Sequence, residues 1–423
     1  MERALVVQGG IPLRGELRVN PAKNSALKIM VASLLTPEPV TLIEVPRLRD
    51  VDVMLELLSH LGTRYAWEGH TLHLHTPEIK NTEAPRELVD KMRASFIVMG
   101  ALLGRVGEAI VPMPGGCQFG PRPVDQHLKA LSRLGAEIRE ENGFFHARQT
   151  RRPSGRVVFD MPTLGGTEQA LLAAALGGEA TLVNVAQEPE IEDLCRFLQM
   201  LGVEVQGTGS SILRVRGKEL LGGGSYSIIP DRIEAGTFLL MAAATRGGVT
   251  LTHVNPQHMD ALLDKLAQSG HHLEVGLDWV KLEATATPSP LSVEAREYPG
   301  FATDLQPLMA AYLATVPGTS TVADRVYPDR FGYVGELARM GADASRKEGV
   351  LLVSGKALMG ANVKAADIRA GGALILAALA AEGESKIEGM QYVERGYERL
   401  PARLQALGAR VSFGQPALAL AAD

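Results

Sequence analysis

The chain has 423 residues, 46% of them hydrophobic and 22% charged, which suffices for two or three packed cores and excludes a disordered or low-complexity protein. Its net charge of −5 gives no global attraction to nucleic acid or anionic lipid, so any anion site has to be local. Two cysteines, Cys117 and Cys195, exclude a disulfide framework and suit a reducing compartment; with no secretory pattern in the first dozen residues and no apolar run of roughly 18, a cytoplasmic protein off the membrane is expected.

From the N-terminus, a strand is expected over residues 4–8 and a helix over 25–35 that is apolar almost all round and must be buried. A Gly/Pro/Glu turn and a Val/Thr strand follow at 36–42. Val51, Met54, Leu55, Leu58 and Leu61 then fall at i, i+3, i+4, i+7 and i+10, one face of an amphipathic helix, and Gly62 stands where a helix end favours a left-handed residue. An alternating strand occupies 71–75. The order then repeats: apolar helices are expected over 94–103, 168–176, 234–245, 305–315 and 371–381, and amphipathic helices end in Leu134-Gly135, Leu201-Gly202, Ser269-Gly270, Met340-Gly341 and Leu407-Gly408. Successive closing glycines lie 67 to 73 residues apart, which identifies six copies of one strand–helix unit.

Six units exceed what one core holds. The expected architecture is α/β with two three-unit domains, 22–229 and 1–21 with 230–423, the N-terminal strand joining the second. Two such lobes would leave a cleft, and buried helices directing their N-termini into it would favour anions. Lys23-Asn24, Arg93, Asp231-Arg232, Asp304 and Asp367-Ile368-Arg369 stand at those helix starts.

One segment concentrates reactive groups: Gly115, Gly116, Cys117, Arg122, Pro123, Val124 and Asp125 combine backbone freedom, a thiol, a guanidinium and a carboxylate. A ligand-covering loop and a connector with a buried thiol both fit it. Cys195, on an amphipathic helix, reads as structural. Asp304 reads first as a helix cap. Arg330, Arg369 and Arg395 occupy comparable joints in the fifth and sixth units. Phosphate-loop, dinucleotide and zinc-binding signatures are missing, and His70, His73 and His75 read as an exposed strand, so neither metal nor cofactor is expected.

The motifs Ala22-Lys23-Asn24-Ser25, Pro46-Arg47-Leu48-Arg49-Asp50, Arg93-Ala94-Ser95, Gly116-Cys117 through Asp125, Pro230-Asp231-Arg232, Ala302-Thr303-Asp304 and Arg395-Gly396-Tyr397-Glu398-Arg399 resemble the UDP-N-acetylglucosamine 1-carboxyvinyltransferase family along essentially the whole chain. The resemblance implies an inside-out α/β barrel pair of six units. It implies transfer of an enolpyruvyl group from phosphoenolpyruvate to the 3-hydroxyl of UDP-N-acetylglucosamine, without a cofactor, by addition and elimination. On that resemblance Cys117 is the acid that protonates the phosphoenolpyruvate methylene carbon, and Lys23, Arg122 and Arg395 bind its phosphate. Arg330 and Arg369 receive its carboxylate, and Asp367 is a further substrate-binding residue. Asn24, Arg93, Arg122, Pro123, Val124, Asp125, Gln126, Leu164, Gly165, Asp304 and Val326 contact the nucleotide sugar, and Asp304 either takes the proton of the 3-hydroxyl or orients it. The family's covalent phosphoenolpyruvate adduct and its alkylation by the epoxide fosfomycin follow from the same thiol. Pro21, Lys28 and Met161-Pro162-Thr163 depart from the commoner pattern.

The sister 5-enolpyruvylshikimate-3-phosphate synthases share this chemistry but carry a Gly-Ser-Lys-Ser signature where this chain has Ala22-Lys23-Asn24. A DNA-encircling clamp would need basic, solvent-facing inner helices. A silent paralogue that binds the nucleotide sugar is the third alternative.

Overall fold

A computed structural model describes residues 3–114 and 124–414, which separate into two units: residues 3–20 with 230–414, and residues 21–114 with 124–229. Each has its own hydrophobic core. In the described residues each also holds three small sheets, so the six-fold repeat appears as six sheets.

The shared motif is a strand, a buried helix and a second strand parallel to the first, the arrangement that a crossover helix permits. Ser154–Val158 pairs in parallel with Glu179–Val183, Ser292–Ala295 with Gly318–Asp324, and Asn362–Lys364 with Glu384–Glu388. In the Glu108–Pro112 sheet the first strand shrinks to a single parallel bridge between Glu83 and Ile110. The remaining two sheets exchange partners: Arg14–Arg18 pairs with Gly248–Thr252, whereas Gly224–Ser227 pairs with Val40–Ile43. The chain passes from one unit to the other between these strands and the helices that follow them. Leu5–Gln8 lies between Glu384–Glu388 and Arg410–Phe413, antiparallel to both.

The helices between these strands are buried nearly all round, as their unbroken apolar sequences require. Every residue of Arg232–Ala244 except Arg232 is buried. Their beginnings differ from the sequence expectation because polar first turns do not register as apolar. Asp231 accepts from the backbone N–H groups of Ile233 and Glu234, and Asp367 from those of Arg369 and Ala370, which starts these helices at Arg232 and Ile368. Thr163 caps Leu164–Ala174 in the same way. Residues 93–97 form a 3-10 turn before the Val98–Val106 helix. Short helices at Arg86–Lys91 and Met390–Val393 have too few apolar repeats to be read from sequence.

The amphipathic Arg49–Leu61 helix buries Val51, Met54, Leu55, Leu58 and Leu61, the face its spacing selects. All six closing glycines have positive φ. At Gly62 φ is 123°, and a Cβ there would approach the Glu78 carbonyl oxygen to 2.6 Å. Gly62→Ala is therefore expected to cost about 1–3 kcal/mol of stability. Thermal unfolding measures this, and an unchanged midpoint would show that the turn relaxes freely.

Two departures from the family pattern have local explanations. Lys28, one turn into the Lys23–Ala32 helix, forms an ion pair with buried Glu168 at 2.7 Å. Thr163 is the helix cap already described, while Met161 is exposed.

Candidate active site

In the unit of residues 21–229, Lys23 opens a buried helix with its side chain almost inaccessible. Its Nζ donates to Asp50 Oδ2 at 2.9 Å, within the first turn of Arg49–Leu61. The ammonium is thus held by a carboxylate on a rigid helix, with Asn24 beside it and partly exposed. Arg93 begins the 3-10 turn.

Val124 precedes the Asp125–Arg133 helix, where Asp125 is exposed and Gln126 buried. Gln126 Nε2 donates to Asp160 Oδ2 at 2.8 Å, and Gln126 Oε1 accepts from the Asp160 backbone N–H at 3.1 Å, joining this helix start to the segment before Leu164. Leu164 and Gly165 form the first turn of the next buried helix, Leu164–Ala174. A Cβ at Gly165 would lie 2.1 Å from His127 Nε2, so only glycine allows the imidazole to pack there. Burial and the nearby positive charge of Arg93 push the His127 pKa down to about 4, leaving the ring neutral. Cys117, Arg122 and Pro123 lie outside the described residues.

In the other unit, Asp304 does not cap a helix. It sits in the 3-10 turn Thr303–Leu305, and its carboxylate binds two arginines instead. Arg330 Nη1 donates to Oδ1 at 2.8 Å, while Arg369 Nε and Nη2 donate to Oδ2 at 3.1 and 2.9 Å. Both guanidiniums are buried. Burial alone would raise the Asp304 pKa; the charges of Arg369 and Arg330 outweigh it and hold the carboxyl far below the usual carboxylate range. Near neutral pH Asp304 is therefore the ionised carboxylate that the two arginines hold.

The neighbours of this cluster fix its shape. Thr303 Oγ1 accepts from Arg330 Nη1 at 3.1 Å and donates to Asp324 Oδ2 at 2.6 Å. Asp324 Oδ1 accepts from the backbone N–H groups of Val326 and Tyr327, which positions Val326. The Asp367 carboxylate is engaged in helix capping directly beside Arg369. Arg395 lies between Met390–Val393 and Leu400–Ala406 and is half-buried.

The structure thus brings together Asp304, Arg330, Arg369, Asp367 and Val326 in one unit, and Gln126, Leu164, Gly165 and Arg93 around His127 in the other. Sequence reading gave no role to Asp50, His127 or Tyr397. Asp50 and Tyr397 stood inside quoted motifs, and His127 lay two residues beyond one. Among the described residues no cluster of three His, Cys, Asp or Glu side chains could hold a metal, and no helix is long and apolar enough to cross a membrane.

Comparison with known proteins accords with this arrangement. Residues 7–404 match the family described as EPSP synthase (3-phosphoshikimate 1-carboxyvinyltransferase). The UDP-N-acetylglucosamine 1-carboxyvinyltransferase of Thermus thermophilus is 69% identical over 423 residues, covering 100% of both chains. That of Deinococcus radiodurans is 52% identical over 418 residues, 98% of each. Among solved structures, the enolpyruvyl transferase NikO from Streptomyces tendae superposes with a TM-score of 0.88 at 24% identity, over 97% of this chain and 99% of that one. EPSP synthase from Acinetobacter baumannii gives 0.74 at 16% identity, over 98% and 100%. With full-length identity to the former enzymes and the same fold as the latter, the chain belongs to the enolpyruvyl transferase family, in its UDP-N-acetylglucosamine 1-carboxyvinyltransferase group.

Proposed function

We propose that this chain transfers the enolpyruvyl group of phosphoenolpyruvate to the 3-hydroxyl of UDP-N-acetylglucosamine and releases phosphate, the first committed step of peptidoglycan synthesis. The observation that carries the reading is the 69% identity, end to end, to an enzyme named for that reaction. The site geometry supports it independently. Two buried guanidiniums converge on one carboxylate, the arrangement that would hold the carboxylate of phosphoenolpyruvate by charge-assisted bonds.

The chemistry runs by addition and elimination. Cys117 gives its proton to C3 of phosphoenolpyruvate, the sugar oxygen bonds to C2 as Asp304 takes its hydroxyl proton, and a tetrahedral adduct results. The new methyl group then returns a proton to the Cys117 thiolate while the C2–O bond to phosphate breaks and phosphate leaves, which regenerates the thiol and the carbon–carbon double bond, now in an enol ether of the sugar. Lys23, Arg122 and Arg395 carry the phosphate charge, and Arg330 and Arg369 hold the carboxylate. Asn24, Arg93, Arg122 to Gln126, Leu164, Gly165 and Val326 position the nucleotide sugar. Asp304 clamped by both arginines is a weak base. Engagement of those arginines by the substrate carboxylate would loosen the clamp and raise its basicity when it is needed. Every step is proton transfer, addition or elimination at an activated alkene, and the protein groups named supply them. We place the reaction in the cytoplasm, consistent with an unpaired, buried Cys195.

The test is phosphate release from phosphoenolpyruvate with UDP-N-acetylglucosamine or shikimate 3-phosphate as acceptor, with the product identified by mass spectrometry. Release with the nucleotide sugar alone is expected. Release with shikimate 3-phosphate would transfer the chain to the sister activity, and silence with both would leave a binding paralogue.

A further inference from the structure

We propose that Tyr397 is a positioning residue for the donor site: its phenol oxygen fixes the Arg369 guanidinium in the orientation that receives a carboxylate. The inference rests on the assignment of Arg369 to the phosphoenolpyruvate carboxylate.

The hydrogen-bond directions in this buried chain follow from its one carbonyl acceptor. Thr237 Oγ1 donates its single proton to the Ile233 carbonyl at 2.7 Å. At its 3.0 Å contact with Tyr397 OH it must therefore accept, which commits the phenol proton to Thr237. The phenol oxygen is left as an acceptor only, and it takes a hydrogen bond from Arg369 Nη1 at 3.2 Å. Nε and Nη2 of the same guanidinium face Asp304 Oδ2, so one edge of the fork is aimed at the carboxylate site while the other end is tied back to the Arg232–Ala244 helix through Tyr397. The backbone of Arg369 is held separately by the Asp367 cap.

The surrounding packing is shaped for this contact. Tyr397 is among the largest fully buried side chains of the protein. A Cβ at Gly372 would lie 3.1 Å from its hydroxyl, and one at Gly396 would lie 2.4 Å from Ile368 Cγ2. Two glycines thus let the turn carrying Tyr397 close onto the first turns of Ile368–Ala380. A phenylalanine would fill nearly the same volume, so what the hydroxyl adds here is its hydrogen bonds. Without it Arg369 keeps its charge and its bonds to Asp304 but loses the contact that ties back its far end, and once a ligand carboxylate competes with Asp304 the side chain has to be ordered by the ligand itself.

The experiment compares wild type, Tyr397→Phe, Arg369→Ala and the double variant by steady-state kinetics in both substrates and by thermal unfolding. The expected result is a rise of about ten-fold or more in the KM for phosphoenolpyruvate in Tyr397→Phe, as for a lost hydrogen bond to a charged group. Its kcat and its KM for UDP-N-acetylglucosamine should stay within about two-fold, and the double variant should be no worse than Arg369→Ala. A normal KM for phosphoenolpyruvate in Tyr397→Phe while Arg369→Ala raises it would overturn the proposal, as would full additivity of the two. If Arg369→Ala itself leaves that KM unchanged, the carboxylate assignment fails first. Should Tyr397→Phe not fold, Thr237→Val removes the phenol's acceptor while keeping the side-chain shape. It is expected to raise the same KM by about three-fold or more, and an unchanged value sinks the idea.

Discussion

Asp304→Asn is expected to lower kcat by about 10²–10⁴-fold, the usual range for loss of a positioned acid or base, while raising the benefit that phosphoenolpyruvate brings to folding. The Asp304 carboxylate pairs with two buried guanidiniums and offsets one of their two positive charges. An amide can still accept hydrogen bonds but removes the negative charge, leaving Arg330 and Arg369 to repel each other. Breaking a buried pair in this way costs about 3–5 kcal/mol, and the 26% of the Asp304 side chain that remains accessible argues for the lower end. A substrate carboxylate would restore the lost charge, so phosphoenolpyruvate should raise the unfolding midpoint of the variant more than that of wild type. An equal or smaller shift would mean that ligand and Asp304 do not share the same guanidiniums. Turnover within about two-fold of wild type would leave Asp304 as an orienting group rather than the base. The pH dependence has a definite sign. Because the folded pKa lies below the unfolded value of roughly 3.9, the contribution of Asp304 to stability is complete above that pH and is lost as the pH falls through the folded pKa. A basic limb in the activity profile therefore belongs to another group.

The repeat was legible because its signals are local. A buried helix has to be apolar on all sides, an amphipathic helix has to place Val51, Met54, Leu55, Leu58 and Leu61 on one face, and a tight exit requires a residue such as Gly62 that accepts positive φ. Each of these constraints acts within about a dozen residues, so they survive as spacing. The exchange of the Arg14–Arg18 and Gly224–Ser227 strands between sheets has no such trace, because pairing across more than 180 positions leaves no periodicity. The polar network is opaque for the same reason. Arg369 lies 65 positions from Asp304, and Thr237 lies 160 from Tyr397. Asp304 at the head of a helical segment satisfies every local rule for a cap, and only the approach of two distant arginines diverts it. Resemblance to a family pointed to Asp304, Arg330 and Arg369, whereas the contacts that join them lie in no single segment.

Cys117→Ala should reduce phosphate release by about 10²–10⁴-fold, since the thiol that protonates C3 in the proposed mechanism is then gone. Cys117→Asp should recover much of that loss at a pH low enough to keep its carboxyl protonated, because a protonated carboxyl can make the same transfer. Its dependence on pH should differ in a way that identifies the acid. A thiol with an unperturbed pKa near 8.5 is protonated through neutrality, while a carboxyl near 3.9 is mostly ionised there, so the active fraction of the variant should fall over a lower pH range than in wild type. Alkylation separates the proton donor from the nucleophile. Fosfomycin should add once to wild type and not to Cys117→Asp. The remaining thiol is no substitute: Cys195 is buried within Pro189–Leu201, and burial pushes its pKa up to about 12, so almost none of it is thiolate at neutral pH. Peptide mass spectrometry after treatment would decide the matter. An adduct mapped to Cys195, or stoichiometric modification of Cys117→Asp at any residue, would show that the reactive nucleophile lies elsewhere. Full turnover in Cys117→Ala would remove this thiol from the acid role and require another donor above the phosphoenolpyruvate methylene carbon.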